Sequence, residues 1–406
     1  MDREKPTKVA IGLRENWGQF VILIVINAFV GGMVGLERAI LPNLAEANFH
    51  IAAKTAILSF ILFFGLAKAL TNYLSGRLAD RLGRKKMLVA GWFIAIPIPF
   101  LLMYAPSWSW VVFANILLGI NQGLAWSSTV VMKIDLVGKR HRGLAMGLNE
   151  SAGYLAVGIV AFLSAWLASE YGLHPYPFYL GIVFVVLGLL GSLLLVKDTI
   201  QHVQQEAQAG TQIRQKNIFW DTTWKNPNLG AVSQAGLVNN LNDGMVWGVF
   251  PILLGNLGFS LEQIGQIVAI YPAVWGLGQL FTGKMADHLP KKAMLFWGML
   301  LQGIVLVGFL VAHNFWQFVV LSVLLGLGTA IVYPTFLAAI ADNAHPQQRA
   351  ESIGVFRLWR DLGYAIGALL TGLIADALGL LWAVGSIAIL TIISAAIIQI
   401  RMKKAK

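Results

Sequence analysis

The chain has 406 residues, of which 57% are hydrophobic and only 12% are charged. A water-exposed surface ordinarily carries about 25% charged residues, so the composition excludes an ordinary soluble domain and points to lipid as the main solvent. There is no cysteine, the seven His lack zinc-like spacing, and the net charge of +11 comes from basic residues in short connections between apolar stretches. Disulfides, thiolate metal sites and a nucleic-acid-binding face are therefore excluded.

A bilayer-spanning helix needs roughly 20 mostly apolar residues. Twelve stretches satisfy this, centred near residues 27, 63, 96, 120, 155, 187, 240, 272, 303, 328, 364 and 390. The first is followed by Glu37-Arg38 with no small-residue cleavage site, so it is read as a retained span rather than a signal peptide. The connections 76–88, 132–142 and 197–228 are strongly basic, and the third is the longest and Gln-rich, as in a linker. Placing both termini in the cytoplasm puts 25 of the 30 basic residues inside, leaves Arg38 and Lys54 outside, and puts Lys68, Arg357 and Arg360 within spans. The positive-inside rule selects this orientation in the inner membrane.

The sequence matches itself at an offset of 207. Gly76 falls on Gly283, Asp80 on Asp287, Lys85 on Lys292, Gly91 on Gly298, Gly119 on Gly326, Asp135 on Asp342, Arg142 on Arg349, Gly147 on Gly354 and Gly172 on Gly379. Matching charged loop residues at one fixed offset imply parallel repeats related about the membrane normal. The expected architecture is an all-α membrane protein with an N-terminal six-helix bundle at 1–197, a linker at 198–228 and a C-terminal six-helix bundle at 229–406.

The run Gly76-Arg-Leu-Ala-Asp80-Arg-Leu-Gly83-Arg84-Lys85-Lys86 resembles the loop 2–3 signature of the major facilitator superfamily, and Gly283-Lys-Met-Ala-Asp287-His-Leu-Pro-Lys291-Lys292 is similar to the degenerate second copy that the family keeps in loop 8–9. The resemblance implies twelve helices in two bundles with pseudo-twofold symmetry, alternating access, and a conformational latch. That latch is expected at Gly76, Asp80, Gly83, Arg84 and Asp287, with Arg142 and the start of helix 11 near Arg349 as partners. Two positions depart from the proton-driven drug exporters of this family. Asn115 stands where those exporters carry an arginine in helix 4, and helix 5 lacks their Gly-Pro motif.

Charge at membrane depth costs about 2.5–3.5 kcal/mol on insertion scales, so each instance asks for a role. At about 1.5 Å per residue, Glu150, Arg357 and Lys68 each lie ~12 Å inside the inner face. Glu150 and Arg357 are repeat equivalents, and Arg360 and Asp361 follow one turn deeper. An ion network is expected in which Glu150 opposes Arg357 or Arg360; the alternative is a static pair that only fixes packing. Glu37 and Asp243 fall in the outer halves of helices 1 and 7 as proton sites or gate lining, with an interfacial pairing as the plainer reading of Glu37. Gln122, Trp126, Asn239, Asn242 and Tyr333 supply the mixed polar and aromatic lining of a solute pocket, or else interhelical hydrogen bonds.

These features predict a monomeric secondary transporter of a small solute, driven by protons and without a cofactor. Export of a small organic compound is the first reading. Import of an anionic metabolite, or facilitation without proton coupling, is the alternative. No Walker A pattern supports ATP drive, no nucleophile–base constellation supports an enzyme, and a membrane receptor would need an appended soluble domain.

Overall fold

The computed structural model describes residues 10–137, 142–202, 217–343 and 349–403. It is all-helical. Nine helical stretches among the described residues are long and apolar enough to cross a membrane. Three more helices, Ser59–Leu82, Trp108–Val137 and Pro227–Asn256, have the length, at 24, 30 and 30 residues. Polar side chains interrupt all three, among them Lys68 and Asn72, Asn121 and Gln122, and Asn239 to Asp243.

In chain order the long helices are α1 (Trp17–Arg38), α2 (Ser59–Leu82), α3 (Arg84–Ala95, continued by Pro97–Met103), α4 (Trp108–Val137), α5 (Arg142–Tyr171) and α6 (Tyr179–Leu194). After the linker come α7 (Pro227–Asn256), α8 (Leu261–His288), α9 (Lys291–Phe309), α10 (Phe315–Asn343), α11 (Arg349–Leu378) and α12 (Leu380–Arg401). Local chemistry sets several boundaries. Pro97 lacks an N–H and breaks α3 at Ile96. Asn226 caps α7 by accepting from the N–H groups of Asn228 and Leu229, with Pro227 in the first turn. Ser260 and Gln263 form a reciprocal capping box on α8.

The offset of 207 persists in three dimensions. Gly172 and Gly379 end α5 and α11 with φ of +98° and +100°, and their N–H groups donate to Ala168 and Ala375, each at 3.0 Å. Only glycine adopts that conformation without strain. A Cβ on Gly119 would lie 2.5 Å from the Phe64 carbonyl; on Gly326 it would lie 2.8 Å from that of Tyr271. Gly91 and Gly298 likewise meet equivalent segments of α4 and α10. The pairings α1–α5, α2–α4 and α3–α4 thus recur as α7–α11, α8–α10 and α9–α10. Small residues allow this close approach where lipid offers no hydrophobic drive between helices.

The first six helices meet the last six along two seams, α5 against α8 and α2 against α11. Gly158 packs on Ala269 and Ala273, Gly276 on Ser151 and Leu155, and Gly65 on Tyr364 and Ala365. At the face opposite the chain termini, Asp376 at the end of α11 accepts from the backbone N–H groups of Lys54 and Thr55, just before α2. Large apolar residues such as Phe281, Trp297, Ile304, Ile389 and Ile400 are exposed on the perimeter, as lipid requires.

Candidate functional site

The polar side chains that interrupt the apolar helices gather between the two seams. On α5, Glu150 is buried. Its Oε1 accepts from Trp126 Nε1 at 2.9 Å and Asn149 Nδ2 at 3.1 Å, while its Oε2 has no partner. Asn149 draws α1 and α4 to this point. Its Oδ1 accepts from Lys133 Nζ and from Thr129, its carbonyl accepts from Asn27 at 2.7 Å, and Asn27 accepts in turn from Thr129 at 2.8 Å.

A second cluster ties α11 to α2. Arg360 donates from Nε and Nη2 to Asp361 Oδ1, at 3.0 and 2.6 Å, and from Nη1 to the Tyr333 hydroxyl. Asn72 donates to Asp361 Oδ2 at 2.5 Å, and Ser127 donates to Asn72 at 2.5 Å. Between the clusters lies the Lys68 ammonium, 5.0 Å from the Tyr364 ring centre and 5.9 Å from that of Trp126, within electrostatic reach of Asp361 and Glu150. Tyr154 bridges the halves. It stacks on Trp275 at 3.5 Å and sits 5.2 Å from Trp126 and 6.4 Å from Tyr333.

Asp243 forms a third centre. Its Oδ1 accepts from the Tyr271 hydroxyl, which also lies 3.1 Å from Thr329 Oγ1, and its Oδ2 has no partner. Toward the face opposite the termini, Glu37 and Arg38 are both fully buried. Glu37 Oε2 accepts from Asn115 at 3.0 Å, and Arg38 lies under the rings of Phe64 and Trp247.

Several sequence expectations change here. Arg38 is not an external loop residue: it ends α1 inside the bundle, covered by aromatic rings. Lys133 is not a loop residue either, because the α4 periodicity places it one and two turns from Thr129 and Trp126, against Asn149. Glu150 makes no ion pair with Arg357 or Arg360 among the described residues. Arg360 is taken by its neighbour Asp361, and the Arg357 Nε is buried without a partner. Gln122 donates to the Val30 carbonyl and to Asn121, joining α1 to α4 rather than lining a pocket. Asn242 bonds Gln302 on α9 and Thr391 on α12, turned away from the seams, whereas Asn239 keeps its Oδ1 unpartnered. Trp126 and Tyr333 do meet the charged clusters. Asn72, Asn149 and Tyr154 are functional-site neighbours that the sequence reading passed over; Asn72 lies one helical turn beyond Lys68, on the same face.

The signature loop binds within the first half. Gly83 has φ +92°, and a Cβ there would lie 2.8 Å from Asp198 Oδ2, which accepts from the Lys85 N–H. Arg84 is buried with Nε 3.6 Å from Asp135, which also accepts from Thr199. The helical backbone at Gly76 is continuous with α2. The side chains of Asp80, Asp287, Arg142 and Arg349, on which the latch across the halves depends, lie outside the described residues.

The model of one family, described as Major Facilitator Superfamily, matches residues 18–238 and 232–404. The chain belongs to the Major Facilitator Superfamily. It is a multi-pass membrane protein and a secondary transporter, not an enzyme. Among curated relatives, the proton-coupled antiporter flippase LtaA of Staphylococcus saprophyticus is 24% identical over 371 residues, covering 89% of this chain and 88% of the relative. The multidrug resistance protein MdtG of Citrobacter koseri is 23% identical over 376 residues, covering 90% of each. Among solved structures, the human organic anion transporter MFSD10 superposes with a TM-score of 0.70 at 15% identity, covering 95% of this chain and 99% of that one. That likeness establishes the shared fold.

Proposed function

We propose that this transporter couples proton movement to the export of a small organic compound, with the bundles at 1–197 and 229–406 rocking about the α5–α8 and α2–α11 seams and both termini in the cytoplasm. The observation that carries the reading is a set of half-satisfied buried carboxylates. Glu150 and Asp243, like Glu37 nearer the opposite face, are each buried with one oxygen bonded and one without a donor. A buried carboxylate oxygen without a donor is costly when ionised and is readily answered by a proton. Such a group suits a carrier whose protonation changes as the pathway switches sides.

Apart from Arg84, which lies beside Asp135 at the signature loop, four buried cations, Arg38, Lys68, Lys133 and Arg360, accompany four buried carboxylates, Glu37, Glu150, Asp243 and Asp361. Protonating one carboxylate leaves one uncompensated cation nearby, which links proton binding to the electrostatics of the solute route. Trp126, Tyr154, Trp275 and Tyr333 give that route an aromatic wall. The printed names of the relatives, a proton-coupled antiporter and a multidrug resistance protein, agree in class. With Asn115 in place of the helix 4 arginine and bonded to Glu37, the proton path here is assigned to the carboxylates themselves.

The test is uptake and efflux in proteoliposomes under an imposed pH gradient, with cationic and anionic solutes. The wild type is expected to concentrate a solute against its gradient, and Glu150→Gln and Asp243→Asn to lose that coupling. Concentrative, pH-dependent transport by Glu150→Gln rejects Glu150 as the proton carrier. A second reading, import of an anionic solute, draws support from the surplus of donors on Arg38.

A further inference from the structure

Five cations are buried among the described helices. Arg360 uses three donor contacts on Asp361 and Tyr333, Lys133 donates to Asn149, Arg84 Nε stands 3.6 Å from Asp135, and the Lys68 ammonium lies beside the Tyr364 ring within electrostatic reach of Asp361 and Glu150. Arg38 differs. It is wholly buried, yet Nε, Nη1 and Nη2 have no hydrogen-bond partner. The nearest carboxylate oxygen, Glu37 Oε1, stands 3.8 Å from Nη1, close enough for attraction but too far for a hydrogen bond. Its own turn of helix gives the guanidinium no acceptor, and its surroundings are rings: Phe64 at 4.6 Å, Trp247 at 4.5 Å and Phe60 at 5.9 Å from the guanidinium carbon to the ring centres.

Two features give this arrangement a recognisable chemistry. Aromatic faces close to a guanidinium support it by cation–π attraction and fix its plane without using its N–H groups. Those donors remain directed outward from the edge, in the fork that matches a carboxylate or phosphate. An unpaired buried guanidinium is among the more expensive things a protein can keep, so its donors are expected to find acceptors at some stage of the working cycle. The location is suited to that. Phe60 and Phe64 belong to α2 of the first half, and Trp247 belongs to α7 of the second, where it stacks at 5.1 Å on Tyr364 of α11. The cage is therefore built from both halves, and any rocking that separates them uncovers Arg38. The charged or titratable groups facing it are Glu37, Asp243, Tyr364 and Lys68.

We propose that Arg38, held between Phe64 and Trp247, is the residue that recognises the anionic group of an aromatic or apolar organic anion, and so sets the charge class of the solute. This deepens the transport reading above and rests on it only in taking the space between the halves as the solute route. The anion's acidic oxygens bind the guanidinium edge in place of the distant Glu37 carboxylate, and its apolar body lies against the same rings.

The test uses purified full-length protein and three probes of similar size: benzoate, phenyl phosphate and phenyltrimethylammonium. Saturable thermal stabilisation by benzoate or phenyl phosphate, and not by phenyltrimethylammonium, is expected for the wild type. Arg38→Lys keeps the charge but loses the fork, and is expected to bind the anions at least tenfold more weakly; Arg38→Gln is expected not to bind them. Anion binding of wild-type strength in Arg38→Lys overturns the proposal, as does stabilisation by the cation alone. Arg38→Lys keeps the experiment decisive should Arg38→Gln fail to fold. The two readings fail separately. Proton-coupled transport with unaltered anion affinity in Arg38→Lys removes Arg38 and leaves the coupling, whereas Arg38-dependent anion binding in a protein that ignores a pH gradient removes the coupling alone.

Discussion

The two halves of this chain copy each other closely where helices touch and diverge where they face the seams. Gly119 on α4 and Gly326 on α10 meet the equivalent carbonyls of Phe64 and Tyr271, and Gly172 and Gly379 end α5 and α11 in the same way. At the same offset of 207, however, Lys68 corresponds to Trp275, Trp126 to Tyr333, Glu150 to Arg357 and Tyr154 to Asp361. All of these but Arg357 meet in the clusters between the halves. Close helix approach is a requirement both copies must meet to fold. Charge between the seams is under no such common requirement, and there each copy carries one cation, one carboxylate, one indole and one phenol, but at different positions.

That contrast is testable as a separation of stability from transport. Its strongest challenge is Asp361, a divergent position whose carboxylate is fully satisfied by Arg360 and Asn72. Asp361→Asn strands a buried guanidinium, and breaking such a pair costs about 3–5 kcal/mol. A large fall in thermal unfolding temperature is expected, with any folded fraction still transporting. A stable but inactive Asp361→Asn protein would move Asp361 from the frame to the mechanism.

Glu150 sits on the other side of the contrast. Its carboxylate has one oxygen unpartnered, so Glu150→Gln preserves Trp126 as a donor and should leave unfolding little changed. Loss of coupled transport by roughly a hundredfold, equivalent to about 2.7 kcal/mol, is the expected outcome in a gradient-driven flux assay. The paired glycines should behave in the opposite sense. Gly119→Ala and Gly326→Ala each force a Cβ against backbone and side chain, at 2.5 and 2.9 Å in the first case and 2.8 and 2.9 Å in the second. Each is expected to cost about 1–3 kcal/mol, and the two by similar amounts. Strongly unequal losses on thermal unfolding would break the equivalence of the copies.

The same distinction governs what could be read from the chain alone. Spans, repeat and family follow from apolar length and from loop residues at fixed spacing, since these depend on bulk partition and on sequence-local turns. The acidic and basic residues within spans were visible as costly exceptions, but not their partners. Arg360 lies beside Asp361 in sequence, and the two pair, whereas the sequence sets Glu150 against Arg357 or Arg360 and the structure turns it to Trp126. Charge counting treats a residue at a span's end as wet and so puts Arg38 outside, whereas the three-dimensional approach of α2 and α7 encloses it. The polar run on α7 points to Asn242 as pathway lining, yet helical rotation aims it at α9 and α12.

The smallest expected effect concerns the face opposite the termini, where one carboxylate joins the halves. Asp376 accepts from two backbone N–H groups at the start of the Lys54–Ile57 turn, and nearby Leu58 packs on Gly248 of α7. Asp376→Asn retains an acceptor oxygen but loses the charge, so closure of this face should weaken by about 1 kcal/mol, or roughly fivefold in the open fraction. The natural chain contains no cysteine, so a single Leu58→Cys reporter can be read without background. Leu58 is 1% exposed, and a water-soluble maleimide reaches a thiol there only when α2 and α7 part. The labelling rate should rise about fivefold when Asp376→Asn is added, with the unfolding temperature nearly unchanged. An unaltered rate would mean that the glycine-lined seams alone hold this face shut, and that the polar contact merely decorates a closure made by packing.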